Sequence, residues 1–166
     1  GSKLDDDTRS KVAAIHDAGE GLLEILNDIL DNSKLEAGQL SFENVAFCPK
    51  SIVDSVVNII GARAAAKGLR ITTPEDGSVP KALVGDAGRL RQVLLNLVSN
   101  AVKFTGEGGI TIAVRCVDAG KDEARVEWSV SDTGIGIAPD RIENLFKDFV
   151  QADCTINRRF GGSGLG

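Results

Sequence analysis

Tyrosine and methionine are absent from this 166-residue chain, and tryptophan and histidine occur once each. A lone His16 excludes any metal cluster built on several histidines. Cys48, Cys116 and Cys154 are far apart and form no CxxC pair, which argues against both a zinc site and a disulfide framework and fits a reducing cytosol. Clustered Lys and Arg are missing too, and the net charge is −5, so the counterion-releasing stripe that binds nucleic acid is not present. An anionic ligand must instead be gripped locally. No apolar run approaches the ~20 residues that span a bilayer, and no secretory signal is present, so a soluble, cytoplasmic chain is expected. Gly1-Ser2 reads as a cloning remnant and no Met occurs, so a longer natural protein is expected around these residues.

What remains is an ordinary globular composition, 42% apolar and 26% charged, enough for one core plus an extended element. From about Asp6 to Ala37, Val12, Ile15, Gly19, Leu22, Leu26, Ile29 and Ser33 recur at steps of three and four, with Asp5, Asp6 and Asp7 at the start and Gly38 as a C-cap. At ~1.5 Å per residue this predicted helix runs about 45–50 Å, longer than a small domain covers, and its apolar seam calls for another helix.

Strand and helix signals then alternate. An extended stretch, Leu40 to Phe47, leads into a helix that opens at Pro49 and closes at Gly68; Leu69 to Thr73 and Ala82 to Val84 read as strands. Asp86 is placed to cap a helix ending near Phe104, and Ile110 to Val117 with Arg125 to Ser131 form a hairpin around Gly120. Strands with helices on one face predict an α+β two-layer sandwich; nothing in the pattern signals a parallel βαβ series. Beyond Ile137 only Asp140 to Phe146 looks helical in an irregular segment of about 25 residues, long enough to hint at a gating element.

Three constellations carry chemistry. Asn96 and Asn100 lie four apart on one helix face with Lys103 a turn further, an oxygen-donor and cation set that suits Mg²⁺ and phosphate, although such a pair can also merely cap neighbouring loops. DTGIG, Asp132 to Gly136, puts an acid at a strand end beside Gly134 and Gly136; a carboxylate there can accept from the exocyclic amine of adenine, while Asp-Thr-Gly also ends many strands as a simple turn. FGGSGLG at Phe160 to Gly166 has the composition of a phosphate-surrounding loop, yet it is neither a P-loop nor a dinucleotide fingerprint.

Taken in order, RLRQVLLNLVSNAVKFT, SDTGIGI, LFKDFVQAD and RRFGGSGLG resemble the N, G1, F and G2 boxes of sensor histidine kinases, and ILNDILDNSKLEAGQL resembles the end of the second helix of their dimerisation and phosphotransfer hairpin, in the wording of hybrid-type kinases. The resemblance implies a Bergerat ATP-binding fold, shared with gyrase, MutL and Hsp90, over residues 39–166, preceded by that helix over 3–38. It implies ATP and Mg²⁺ as ligands: Asn100 on the metal, Asn96 where relatives carry a general-base Glu, Lys103 and Arg159 at the transferring phosphate, Asp132, Gly134 and Gly136 at adenine, Phe149 pinning a lid, and Gly162, Ser163 and Gly164 at the phosphates. It further implies a homodimer through the N-terminal helix and a response-regulator receiver domain as partner. The family's phosphoacceptor lies on the first hairpin helix in an acidic-Arg-Pro context that His16 lacks, so the acceptor is expected outside this chain, which is also expected to stop short of the family's last helix and strands. A regulatory pseudokinase or dimerisation module is the competing reading, and the intact box residues favour the kinase over it.

Overall fold

The computed structural model describes residues 41–142 apart from Asp122, together with Thr8, Lys11, Val12, Ile15 and Gly19, all five of which are helical. The rest of the N-terminal segment, for which the sequence predicts a long helix, lies outside the described residues. Phe42–Ala138 forms a compact unit of its own. Its elements are β1 (Val45–Phe47), α1 (Pro49–Ala66), β2 (Arg70–Thr72), β3 (Leu83–Gly85), α2 (Ala87–Phe104), β4 (Gly109–Ala119) and β5 (Ala124–Asp132); a short α3, Pro139–Ile142, follows outside that unit.

Pro49, with no N–H to lose, begins α1, and the helix buries Ile52, Val53, Val56, Ile60 and Ala64, the stripe its sequence spacing sets out. It ends in a Schellman motif. Gly68 donates to the Ala65 carbonyl and Leu69 to that of Ala64, both at 2.9 Å, and Gly68 takes the φ of +70° that a residue without Cβ adopts at no steric cost. Helix α2 begins at the predicted cap: Asp86 Oδ1 accepts from the Arg89 N–H at 2.9 Å, while Oδ2 accepts from Glu43 N–H at 3.1 Å and so ties the approach to β1 onto the same helix start.

Strands β4 and β5 pair antiparallel from Ile110↔Asp132 to Ala119↔Ala124, with a register shift between Cys116 and Asp118. Ile110 and Ile112 turn to the helices, whereas Thr111, Ala113 and Arg115, with Ser131, Ser129 and Glu127 opposite, occupy the other face. The core is therefore one layer of α1 and α2 over one face of the sheet: Val56, Leu94, Val98, Ile110 and Ile112 are each at most 1% exposed. Burying side chains of this kind stabilises by roughly 1.5–3 kcal/mol each, and so decides the packing ahead of the exposed Lys50–Glu75 and Arg115–Glu127 ion pairs.

The sheet adds one pairing to the expected two-layer α+β sandwich: β2 pairs with β4 in parallel, Arg70↔Gly109 through Thr72↔Thr111, giving the order β2-β4-β5, while β1 and β3 form a separate antiparallel ribbon. The crossover runs through β3 and α2, and a three-residue strand so far along the chain from its partner leaves no local pattern to read. Gly109 permits the pairing: a Cβ there would lie 2.8 Å from the Arg70 carbonyl oxygen.

Hydrogen bonds from the backbone N–H of Arg89, then of Glu43, hold the Asp86 carboxyl below its ordinary value. A depressed carboxyl stabilises fully above its unfolded value near ~3.9 and loses that contribution as pH falls through the lower folded value. Urea unfolding of Asp86→Asn should accordingly show a deficit against wild type at pH 7 that shrinks below about pH 4; a deficit constant from pH 7 to 3 refutes the role of the charge.

Candidate functional site

Helix α2 presents two faces. Leu94, Val98, Ala101 and Val102 are buried, and on the other side Val93 and Leu97 stand 56% and 46% exposed around Asn96. The Asn100 amide Nδ2 donates to Asn96 Oδ1 at 3.0 Å, so the two predicted amides are joined, and the Asn100 Oδ1 is left as the acceptor of the pair. Lys103, half-buried in the last turn, carries its Nζ 5.2 Å from the centre of the Phe104 ring.

The last carbonyls of α2 are satisfied from α1's end. Lys67 Nζ donates to Val102 O at 2.6 Å and to Lys103 O at 3.2 Å, placing a cation at the negative end of the helix dipole. No sequence signal marks Lys67 for this task, because 35 residues separate it from Val102.

Asp132 ends β5 on the helix-facing side, as its pairing with Ile110 requires. Its Oδ1 accepts from Gly134 N–H at 2.8 Å and from the Thr105 hydroxyl at 3.4 Å. Thr105 is 0% exposed and is the one buried polar side chain among the described residues. It is the last letter of the N-box string, yet its burial against Asp132 could not be read there. The loop is drawn tight by its glycines: at Gly134 a Cβ would lie 2.7 Å from both Phe104 O and Asp132 Oδ1, and Gly136 takes φ +68°. Thr133 closes the other side, its Oγ1 accepting from Gly109 N–H at 3.1 Å and donating to Glu107 O at 3.0 Å, with Gly108 at φ +102° making room.

The fold thus joins Asn96 to Asn100 and Asp132 to Gly134. Phe149, Arg159, Gly162, Ser163 and Gly164, like His16, lie outside the described residues.

Residues 85–166 match the family described as histidine kinase-, DNA gyrase B- and HSP90-like ATPase. The chain is 42% identical over 158 residues to the signal transduction histidine-protein kinase BarA of Escherichia coli strain K12, covering 95% of this chain and 17% of BarA. It is 42% identical over 152 residues to the hybrid signal transduction histidine kinase L of Dictyostelium discoideum, covering 92% of this chain and 9% of that protein. The chain is homologous to hybrid sensor histidine kinases. Its fold superposes on the crystal structure of full-length ShkA in complex with AMPPNP at a TM-score of 0.77 and 36% identity, over 99% of this chain and 33% of ShkA. The mixed helix-and-sheet architecture is that of the histidine kinase catalytic domain, and among the described residues no helix is long and apolar enough to cross a membrane.

The Gly134 approach gives a direct test of this site geometry. Gly134→Ala should destabilise the domain by about 1–3 kcal/mol, because the added methyl meets a backbone carbonyl that cannot step aside. Thermal melting that leaves Gly134→Ala equal to wild type contradicts the packing described for this loop.

Proposed function

We propose that this chain is the ATP- and Mg²⁺-binding catalytic part of a two-component sensor histidine kinase, working on the cytoplasmic side and transferring the γ-phosphoryl group to a histidine outside these residues, from which it passes to an aspartate of a response regulator. Residues 3–38 form the second helix of the dimerisation hairpin in this reading, with the homodimer built through it, and residues 39–166 form the ATP-binding domain. The observation that carries it is the amide pair on α2, Asn100 Nδ2 donating to Asn96 Oδ1 at 3.0 Å, within the region homologous to histidine kinases.

The donor set fits the ligands. With its Nδ2 committed to Asn96, the Asn100 side chain offers a neutral hard oxygen, the donor type Mg²⁺ takes alongside phosphate oxygens and waters. Bound Mg²⁺ supplies charge neutralisation to the phosphates. Asn96 is an amide and takes no proton from water, which spares ATP for a histidine nucleophile. Lys103 and Arg159 serve the transferring phosphate, and Gly162, Ser163 and Gly164 present amides to the phosphate chain, with Phe149 anchoring the lid. Asp132 accepts from the adenine amine; Gly134 holds the loop close against Phe104 O, and the open backbone at Gly136, where an added Cβ would meet nothing within 4 Å, lets the base approach.

Calorimetric titration of Mg²⁺-ATP should show Asn100→Ala binding at least about tenfold more weakly, with the difference abolished when EDTA removes the metal. Equal affinities in the presence of Mg²⁺ remove Asn100 from the metal site. Incubated alone with ATP and Mg²⁺, the chain should form no phosphohistidine at His16, because phosphoryl transfer depends on an in-line acceptor and His16 lacks the acceptor context; a separately supplied first-helix hairpin should gain acid-labile phosphate. Phosphate at His16 under non-acidic mass spectrometry, lost in His16→Gln, overturns the assignment of the acceptor. No labelling of the supplied hairpin, with ATP bound, favours the pseudokinase.

A further inference from the structure

Among the described residues, Thr105 is the only polar side chain to be fully buried, and its hydroxyl has one partner, the Oδ1 of Asp132. A buried hydroxyl is costly unless it makes a hydrogen bond, so the site is poor for a residue kept only to fill space, where Val would serve without that requirement. The residue sits at the C-cap of α2 in an extended conformation, φ −99° and ψ 123°, and its N–H closes the helix onto Ala101 O at 3.0 Å. Its backbone is therefore fixed by the same helix that carries Asn96, Asn100 and Lys103.

We infer that Thr105 is a positioning residue for nucleotide recognition: its hydroxyl, with the Gly134 N–H, occupies Asp132 Oδ1 and sets the carboxylate plane so that Oδ2 is held as the acceptor for an adenine amine. The inference rests on the adenine-binding reading of Asp132. Two donors converge on one oxygen, from opposite elements: the Gly134 N–H belongs to the loop after β5 and the Thr105 hydroxyl to the end of α2. The Gly134 bond alone holds the carboxylate only within its own two-residue turn. The Thr105 bond ties it to a second rigid element, 27 residues away in sequence, and makes the direction of Oδ2 a property of the packed domain. Gly134 is locked into the same cluster, since a Cβ on it would lie 3.0 Å from Thr105 Oγ1. Base selectivity is then set partly by a residue that never touches the base.

The test compares ATP and GTP binding, with Mg²⁺, for the 166-residue wild type and for Thr105→Ser, Thr105→Ala, Thr105→Val and Asp132→Ala, with thermal melting of each. Ser keeps a hydroxyl and should stay near wild type; Ala and Val should weaken ATP by about three- to tenfold, since the bond lost is a long one, 3.4 Å, to a charged group, and leave GTP little changed. In the Asp132→Ala background, Thr105→Ala should have no further effect on ATP. Equal ATP affinities for Ser and Ala, additive losses in the double variant, or parallel losses for ATP and GTP overturn the inference; a purely structural role would lower melting temperature and both affinities together. If Val fails to fold, the Ser and Ala pair decides the matter. Failure of the underlying reading is separately visible: Asp132→Ala then leaves ATP binding intact, and the role of Thr105 falls with it.

Discussion

The bare α-carbon of Gly134 against the Phe104 carbonyl is the constraint on which the arrangement of the proposed nucleotide-binding residues depends. It lets the loop after β5 come close enough to α2 for Ile135 N–H to reach Phe104 O at 3.5 Å and for Thr105 to meet Asp132. Contact of backbone with backbone is stiff, because neither side has a rotamer to yield. Replace that approach by a side chain and the end of β5 must retreat from the helix, carrying Asp132 with it.

Helix α2 is accordingly held at three levels. Asp86 satisfies its first N–H groups and ties in Glu43, Leu94 and Val98 seat it in the core, and Lys67 takes up its last carbonyls. Each anchor lies on the buried side or at an end, which leaves Val93, Asn96 and Leu97 turned outward. A rigid element with a free face is a good support for groups that must be placed to a fraction of an ångström. The two amides gain from this as well, since the bond between Asn100 and Asn96 fixes one against the other.

The family that residues 85–166 match takes in histidine kinase-, DNA gyrase B- and HSP90-like ATPase members, so one scaffold hosts both kinase and ATPase chemistry. What separates them on the proposed reading is one functional group: an amide at position 96 cannot serve as the general base that a carboxylate would be. The chain spans 17% of BarA and 9% of kinase L, so the acceptor, the sensing parts and the relay belong to the proposal for the whole protein.

Local chemistry was legible in the sequence where it is local in the structure. Pro49 and Gly68 bound α1, Asp86 caps α2, alternating residues lay out the β4–β5 hairpin, and the order of the Asn, Asp-Thr-Gly and glycine-rich strings pointed to the ATP-binding family, because caps, periods and motifs act within a few residues of one another. The parallel β2–β4 pairing, the Lys67 bonds to α2 and the burial of Thr105 on Asp132 join positions 27 to 39 residues apart. Such contacts exist only after the chain has crossed over and the helices have packed on the sheet, and no periodicity records which short strand or which hydroxyl will arrive there. The sequence by itself determined the elements and the residues that chemistry can use; the tertiary structure decided which of them face each other.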